Sequence, residues 1–275
     1  MTTAELTRQP TPTLRVSSGR VIFLALAGAL VLFLALPLLA LVVRALPLGL
    51  DAWMSETTLA ALQLSLLTAT LSACIAFGVG TPVAYLLARE NFRGKNVIDT
   101  LIDLPMVLPP AVAGIALLMA FGRRGLLGPA LSSIGIELPF TTAAVIIAET
   151  FVAAPFYVRS AKAGFANVDR KLEQMSALLG VSNLRTFFRI TLPLAAPSLV
   201  SGLLMTWARA LGEFGATIMF AGNFPGRTQT MPLAIYSGLE SNLDSALALS
   251  LILVSVSFGI LFTVRKVSPK GIILG

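Results

Sequence analysis

The 275 residues are 56% hydrophobic and only 12% charged, with a mean hydropathy of +0.87. Soluble domains carry about a quarter charged residues, so this chain has too little polar surface to cover a water-soluble body. Its net charge of +7 sits in short clusters between apolar runs, as topology signals do and as a nucleic-acid-binding face does not. The chain has no histidine, which removes the commonest metal ligand and general base.

In chain order, residues 1–19 are polar and rich in Thr, Ser and Pro, and read as a disordered cytoplasmic tail. Val21 to Val43 is an uncharged run bounded by Arg20 and Arg44. It exceeds a signal-peptide core of roughly 7–15 residues, so residues 20–56 read as a retained first span and an outer loop. The next uncharged stretch, between Glu56 and Arg89, is longer than the ~20 residues of one span. That leaves Thr57 to Leu64 room to lie along the interface. Further spans are expected at Leu104–Phe121, at Leu138–Val158 with Glu149 inside, at Pro193–Gly212 with Arg209 near its end, and at Ala246–Val264. Together these give an all-α polytopic membrane protein with six spans, its main domain at 57–265 and a cytoplasmic tail at 266–275. Prolines 37, 82, 109, 110, 155 and 197 lie in or beside the runs and predict kinks that neighbouring helices can tolerate in a bundle. The lone Cys74, inside an apolar run, allows no disulfide framework.

With both termini cytoplasmic, fifteen of the twenty Lys and Arg residues fall inside, and only Arg44, Arg123, Arg124 and Arg227 fall outside. The longest inner segment is 159–191. Asn167 or Asp169 can cap a helix there. Leu172, Met175, Ser176 and Leu179 then share a face, and Gly180 is a natural stop. A second short helix is expected near Leu184 to Arg189, ahead of Leu192-Pro193. Chemistry alone leaves two readings of the first helix: it lies on lipid headgroups, or it docks into a groove on a partner protein.

Gln174-Met175-Ser176, Gly180, Ile190, Leu192 and Pro193 resemble the cytoplasmic Glu-Ala-Ala loop of bacterial ABC importer membrane subunits, which runs Glu-Ala-Ala, three residues, Gly, nine residues, Ile-x-Leu-Pro. The Gly and Ile-x-Leu-Pro positions match; the Glu-Ala-Ala positions do not, although Glu173 stands one place earlier. The stretches Leu211 to Ala216, Ala221 to Thr230 and Pro232 to Tyr236 look like the molybdate and sulfate branch of that family, and the Gly-Asn-x-Pro-Gly-x-Thr-Gln run and the Ala-Ile-Tyr after it look most like molybdate permeases. The resemblance implies a type I importer transmembrane domain in the bacterial inner membrane. It implies that Asp169, Glu173, Gln174, Met175, Ser176, Ala177, Gly180, Ile190, Leu192 and Pro193 belong to a coupling helix and its loop, docked on cytoplasmic ATPase subunits that hold ATP and Mg. It further implies a second copy of the chain and an extracytoplasmic oxyanion-binding protein, with molybdate, tungstate and sulfate as the candidate cargoes.

Arg209 and Glu213 are four apart and can pair, either shaping the outer mouth or gate or anchoring the fifth helix. Ser201, Thr206, Thr217 and Asn223 carry donors that suit a weakly held anion, yet each can equally satisfy a local carbonyl. Glu149 reads as a proton-carrying acid or as a hydrogen-bonded structural carboxylate, and the absence of histidine and of a second acid in that run favours the latter. No phosphate loop, metal-ligand cluster or nucleophile–base pair is visible, so neither a cofactor nor catalysis is expected in this chain. A stand-alone carrier would show paired broken helices in inverted repeats, which the sequence lacks.

Overall fold

The computed structural model describes residues 18–267, so the two expected tails lie almost wholly outside the described residues. The chain divides into two units at Leu46–Pro47. The described part of the first unit is α1 (Ser18–Ala45), apolar on every face, with Pro37 inside it. Such all-round hydrophobicity suits a helix surrounded by lipid or by other helices.

The second unit is helical throughout its described residues. Its elements are α2 (Leu50–Trp53), α3 (Glu56–Arg89), α4 (Lys95–Val107), α5 (Pro110–Phe121), α6 (Gly128–Ser133), α7 (Thr142–Ala166), α8 (Arg170–Leu178), α9 (Asn183–Thr186), a π-turn (Phe187–Thr191), α10 (Leu192–Leu211), α11 (Gly215–Ala221), α12 (Met231–Ser241) and α13 (Leu243–Val267). Across both units, five helical stretches are long and apolar enough to cross a bilayer, and a bent pair, α4 with α5, makes six when counted as one.

Two expectations are corrected. Thr57 to Leu64 do not lie apart from the second span: α3 runs unbroken for 34 residues, started by the Ser55 side chain, which accepts from Thr58 N–H at 3.2 Å. At about 1.5 Å per residue it is roughly 50 Å long, well beyond a ~30 Å hydrocarbon layer. Nor is Leu104–Phe121 one helix, because α4 and α5 meet at a bend of 118°. Pro109 and Pro110 supply the cause. They lack two N–H donors, and the proline ring forces Leu108 into extended backbone, ψ 135°.

The interior is built from small residues. α3, α7 and α10 pack through Ala76, Ala84, Tyr157, Ala161, Phe165, Ala195 and Leu199. On α7 and α10 two glycine–serine pairs set the crossing: a Cβ on Gly164 would stand 2.6 Å from Ser198 Cβ, and one on Gly202 would stand 2.6 Å from Ser160 Cβ. The Ser160 hydroxyl donates to Ser198 C=O at 2.7 Å across the same contact. Close backbone approach of this kind is what holds helices together where lipid removes the hydrophobic drive. A second cluster joins α5, α7 and α11 through Ala113, Leu117, Ala148, Ala216 and Phe220. There Gly114 lies against Ala216 and Met219, and Gly215 against Pro110.

Candidate functional site

Helix α8 is the first candidate. The Asp169 side chain accepts from Lys171 N–H at 2.9 Å and starts the helix. Its end is a Schellman turn: Gly180 adopts φ +75°, its N–H donates to Ala177 C=O, and Val181 N–H donates to Ser176 C=O. One face of α8 is anchored. Glu173 accepts from Arg89 Nη2 at 2.9 Å and from the Thr191 hydroxyl at 2.7 Å. Ser176 bonds Thr186 at 2.7 Å and is buried. The other face is bare, with Met175 at 60%, Leu178 at 87% and Leu179 at 81% exposure, beside Leu184 at 70%. Gln174 and Ala177 are exposed as well.

The second short helix of the loop is not separate. α9 passes through the π-turn into α10 as one apolar stretch from Asn183 to Leu211. Ile190 lies in the π-turn, and Leu192 and Pro193 form the first turn of α10. Pro193 accounts for the widening: it cannot donate, and its ring crowds the carbonyl four residues back. Leu192 N–H accordingly reaches back to Phe187 C=O.

The sequence reading missed the anchor partners. Arg89 ends α3 and was counted only as a topology charge. It is buried, and besides Glu173 it donates to Val168 C=O at 3.0 Å. Arg170 returns the contact by donating to Arg89 C=O at 2.9 Å. Two further ion pairs, Asp99–Lys162 and Asp103–Arg159, tie α4 to α7. Acids four apart on α4 facing bases three apart on α7 was the readable signal.

The polar residues expected along a pathway sit differently. Arg209 and Glu213 do pair, at 2.7 Å, although α10 ends at Leu211. The other oxygen of Glu213 accepts from Ala216 N–H at 2.8 Å and so satisfies the start of α11. Ser201, Thr206 and Thr217 are buried inside the bundle, with hydroxyls that have no partner among the described residues. None of the three back-bonds a local carbonyl. Asn223 donates to the Ser237 hydroxyl at 2.7 Å, linking the Gly222–Thr230 loop to α12. Glu149 is buried and accepts from Thr68 at 2.8 Å and from Ser72 at 3.0 Å, which bridges α7 to α3. On the loops between spans, Arg123, Glu137, Phe140 and Arg227 line a cavity of about 420 Å³. Hydrogen bonding and charge from Glu137 hold the Arg123 guanidinium above its ordinary pKa.

The helix bundle has the fold of ABC importer transmembrane domains. A bacterial ABC transporter importing the acidic polysaccharide alginate superimposes with a TM-score of 0.72 over 92% of this chain and 98% of that chain, at 16% identity. The methionine ABC transporter in an inward-facing form gives 0.55 over 85% and 99%, at 20% identity. Residues 80–269 match the family described as binding-protein-dependent transport system inner membrane component, and the chain belongs to that family. Among relatives, the molybdenum transport system permease protein ModB of Mycobacterium tuberculosis is 42% identical over 248 residues, 90% of this chain and 93% of that protein. The ModB of Escherichia coli is 38% identical over 73% and 88%, and the molybdate/tungstate permease WtpB of Pyrococcus abyssi 37% over 90% and 95%.

Proposed function

We propose that this chain is the membrane-spanning, non-catalytic subunit of an ATP-driven importer that carries molybdate into the cytoplasm. The supporting observation is the 42% identity with a molybdenum permease over nearly the full length of both chains. Two copies form the channel, both termini lie in the cytoplasm, and an extracytoplasmic binding protein delivers the anion to the loops around Arg123, Glu137 and Arg227. ATP and Mg belong to two cytoplasmic ATPase partners.

The coupling step follows from the two faces of α8. Met175, Leu178 and Leu179, with Leu172, enter a groove on the ATPase, as an amphipathic helix does. Glu173 and Ser176 hold the opposite face to the spans. Closure of the ATPases on ATP moves α8 as a body, and the bundle follows by rigid-body alternating access. Asp169, Gln174, Ala177 and Gly180 shape this helix, and Ile190, Leu192 and Pro193 its return to the membrane. Ser201, Thr206 and Thr217 are proposed as donors that become accessible when the bundle opens, with Arg209, Glu213 and Asn223 fixing the loops beside them. Weak, replaceable donors suit passage, since a tight site traps its cargo.

Tungstate is the second reading, supported by the relative from Pyrococcus abyssi. Uptake by the reconstituted complex, with molybdate, tungstate and sulfate in competition, tests both. Molybdate uptake that excess sulfate leaves intact is the expected result. Sulfate carried in preference to molybdate would contradict the proposal.

A further inference from the structure

The contacts at the membrane end of α8 point to a residue outside the loop that sets its position. We infer that Arg89 is a positioning residue for energy coupling: it locks α8 to the end of α3 through Glu173, so that movement of α8 becomes movement of the spans. This rests on the proposed docking of α8 on an ATPase.

Three elements meet at one carboxylate. Glu173 belongs to α8, Arg89 ends α3, and Thr191 closes the π-turn before α10. Glu173 Oε1 accepts from both Arg89 Nη2 and the Thr191 hydroxyl. The side chains of Arg89 and Glu173 are only 6% and 20% exposed, so water screens the pair weakly. Arg89 Nη2 also donates to Val168 C=O, just before α8, and Arg170 grips Arg89 C=O from the first turn of α8. The joint therefore fastens the middle of the short 167–169 connection and the helix it leads into. An aromatic floor lies beneath it, where Tyr85 packs edge-on against Phe165 and Phe187. The contact of Ser176 with Thr186 joins α8 to α9. Arg89 and Glu173 thus form the ion pair between α8 and α3, beside the bonds from Arg170 to the Ala88 and Arg89 carbonyls; α3 carries Pro82 two turns before its end and the Glu149 bridge further along. If the ion pair is cut, the Arg170 bonds to the α3 carbonyls remain and the ATPase can still seat Met175, Leu178 and Leu179, but α8 pulls α3 less.

The test uses the full complex of permease and co-purified ATPase in proteoliposomes, with labelled molybdate taken up and ATP hydrolysed both measured. In Arg89→Met the ATPase should co-purify as with the native chain, while molybdate imported per ATP falls about tenfold, toward the upper end of effects seen for residues that touch neither ligand. Arg89→Lys, which keeps the charge but reaches fewer acceptors, should lie between. Adding Glu173→Gln to Arg89→Met should lower the ratio little further, because the two act through one link. A merely structural role would reduce uptake and hydrolysis together and leave the ratio unchanged; that result, or native coupling in Arg89→Met, overturns the inference while leaving α8 docking intact. A native complex that recruits no ATPase overturns both.

Discussion

Glu149 illustrates what a single residue shows and hides. Its presence in an apolar run was readable, and so were the two roles open to it. The choice between them was not, because Thr68 and Ser72 lie about 80 residues earlier in the chain and meet it only once α3 and α7 pack. With both oxygens accepting from hydroxyls, the structural role is favoured. Glu149→Gln, which retains an acceptor, should therefore transport molybdate at close to the native rate. Glu149→Ala leaves Thr68 and Ser72 only the Ser65 and Ile146 carbonyls as acceptors and opens a cavity, and should cost about 2–4 kcal/mol, read as a lower melting temperature of the purified complex. Loss of uptake in a stable Gln variant would instead require an ionisable group. Glu213 makes the same point. Its pairing with Arg209 was legible from a spacing of four. Its second bond, to the start of α11, depends on the turn at Gly212, which no spacing rule announces.

At the scale of elements, local signals were read well and coupled ones poorly. The Asp169 cap and the Gly180 stop are set by near neighbours and are found where composition and spacing put them, whereas the expected shared face is split: Met175 and Leu179 are bare and Ser176 is buried against Thr186. The bend at Pro109 was marked only as a kink, because a kink and a 118° break share one sequence signal and tertiary packing of α5 on α11 decides between them. The π-turn was missed for a similar reason: Pro193 announces a disturbance without saying whether the helix stops or widens. Gly180 offers a clean test. Nothing lies within 4 Å of where its Cβ would be, so a substitution acts through backbone alone. At φ +75°, Gly180→Leu should cost about 1–2 kcal/mol and unwind the last turn of α8. Uptake should fall severalfold while the amount of chain in the membrane stays unchanged. Normal uptake would show that the α8 terminus is irrelevant to transport.

For the whole molecule, the apolar runs carried most of what could be known in advance: a polytopic helical bundle with a long polar loop, rich in Lys and Arg, between two spans. The interior polar network could not be foreseen, since Ser and Thr in a span serve packing, back-bonding and solvation equally well, and only the fold separates them. The buried hydroxyls of Ser201, Thr206 and Thr217 are an example: their residue types suggested donors, and their burial within one chain makes a change of conformation a condition of any contact with cargo. The central claim is that α8 projects into the cytoplasm and grips a separate motor. Leu178, 87% exposed on α8, is the place to probe it. With Cys74 replaced by Ala, a cysteine at Leu178 should react with a membrane-impermeant maleimide only from the cytoplasmic face, and bound ATPase should shield it. Labelling from the external face, or labelling that the ATPase leaves unchanged, would contradict the account.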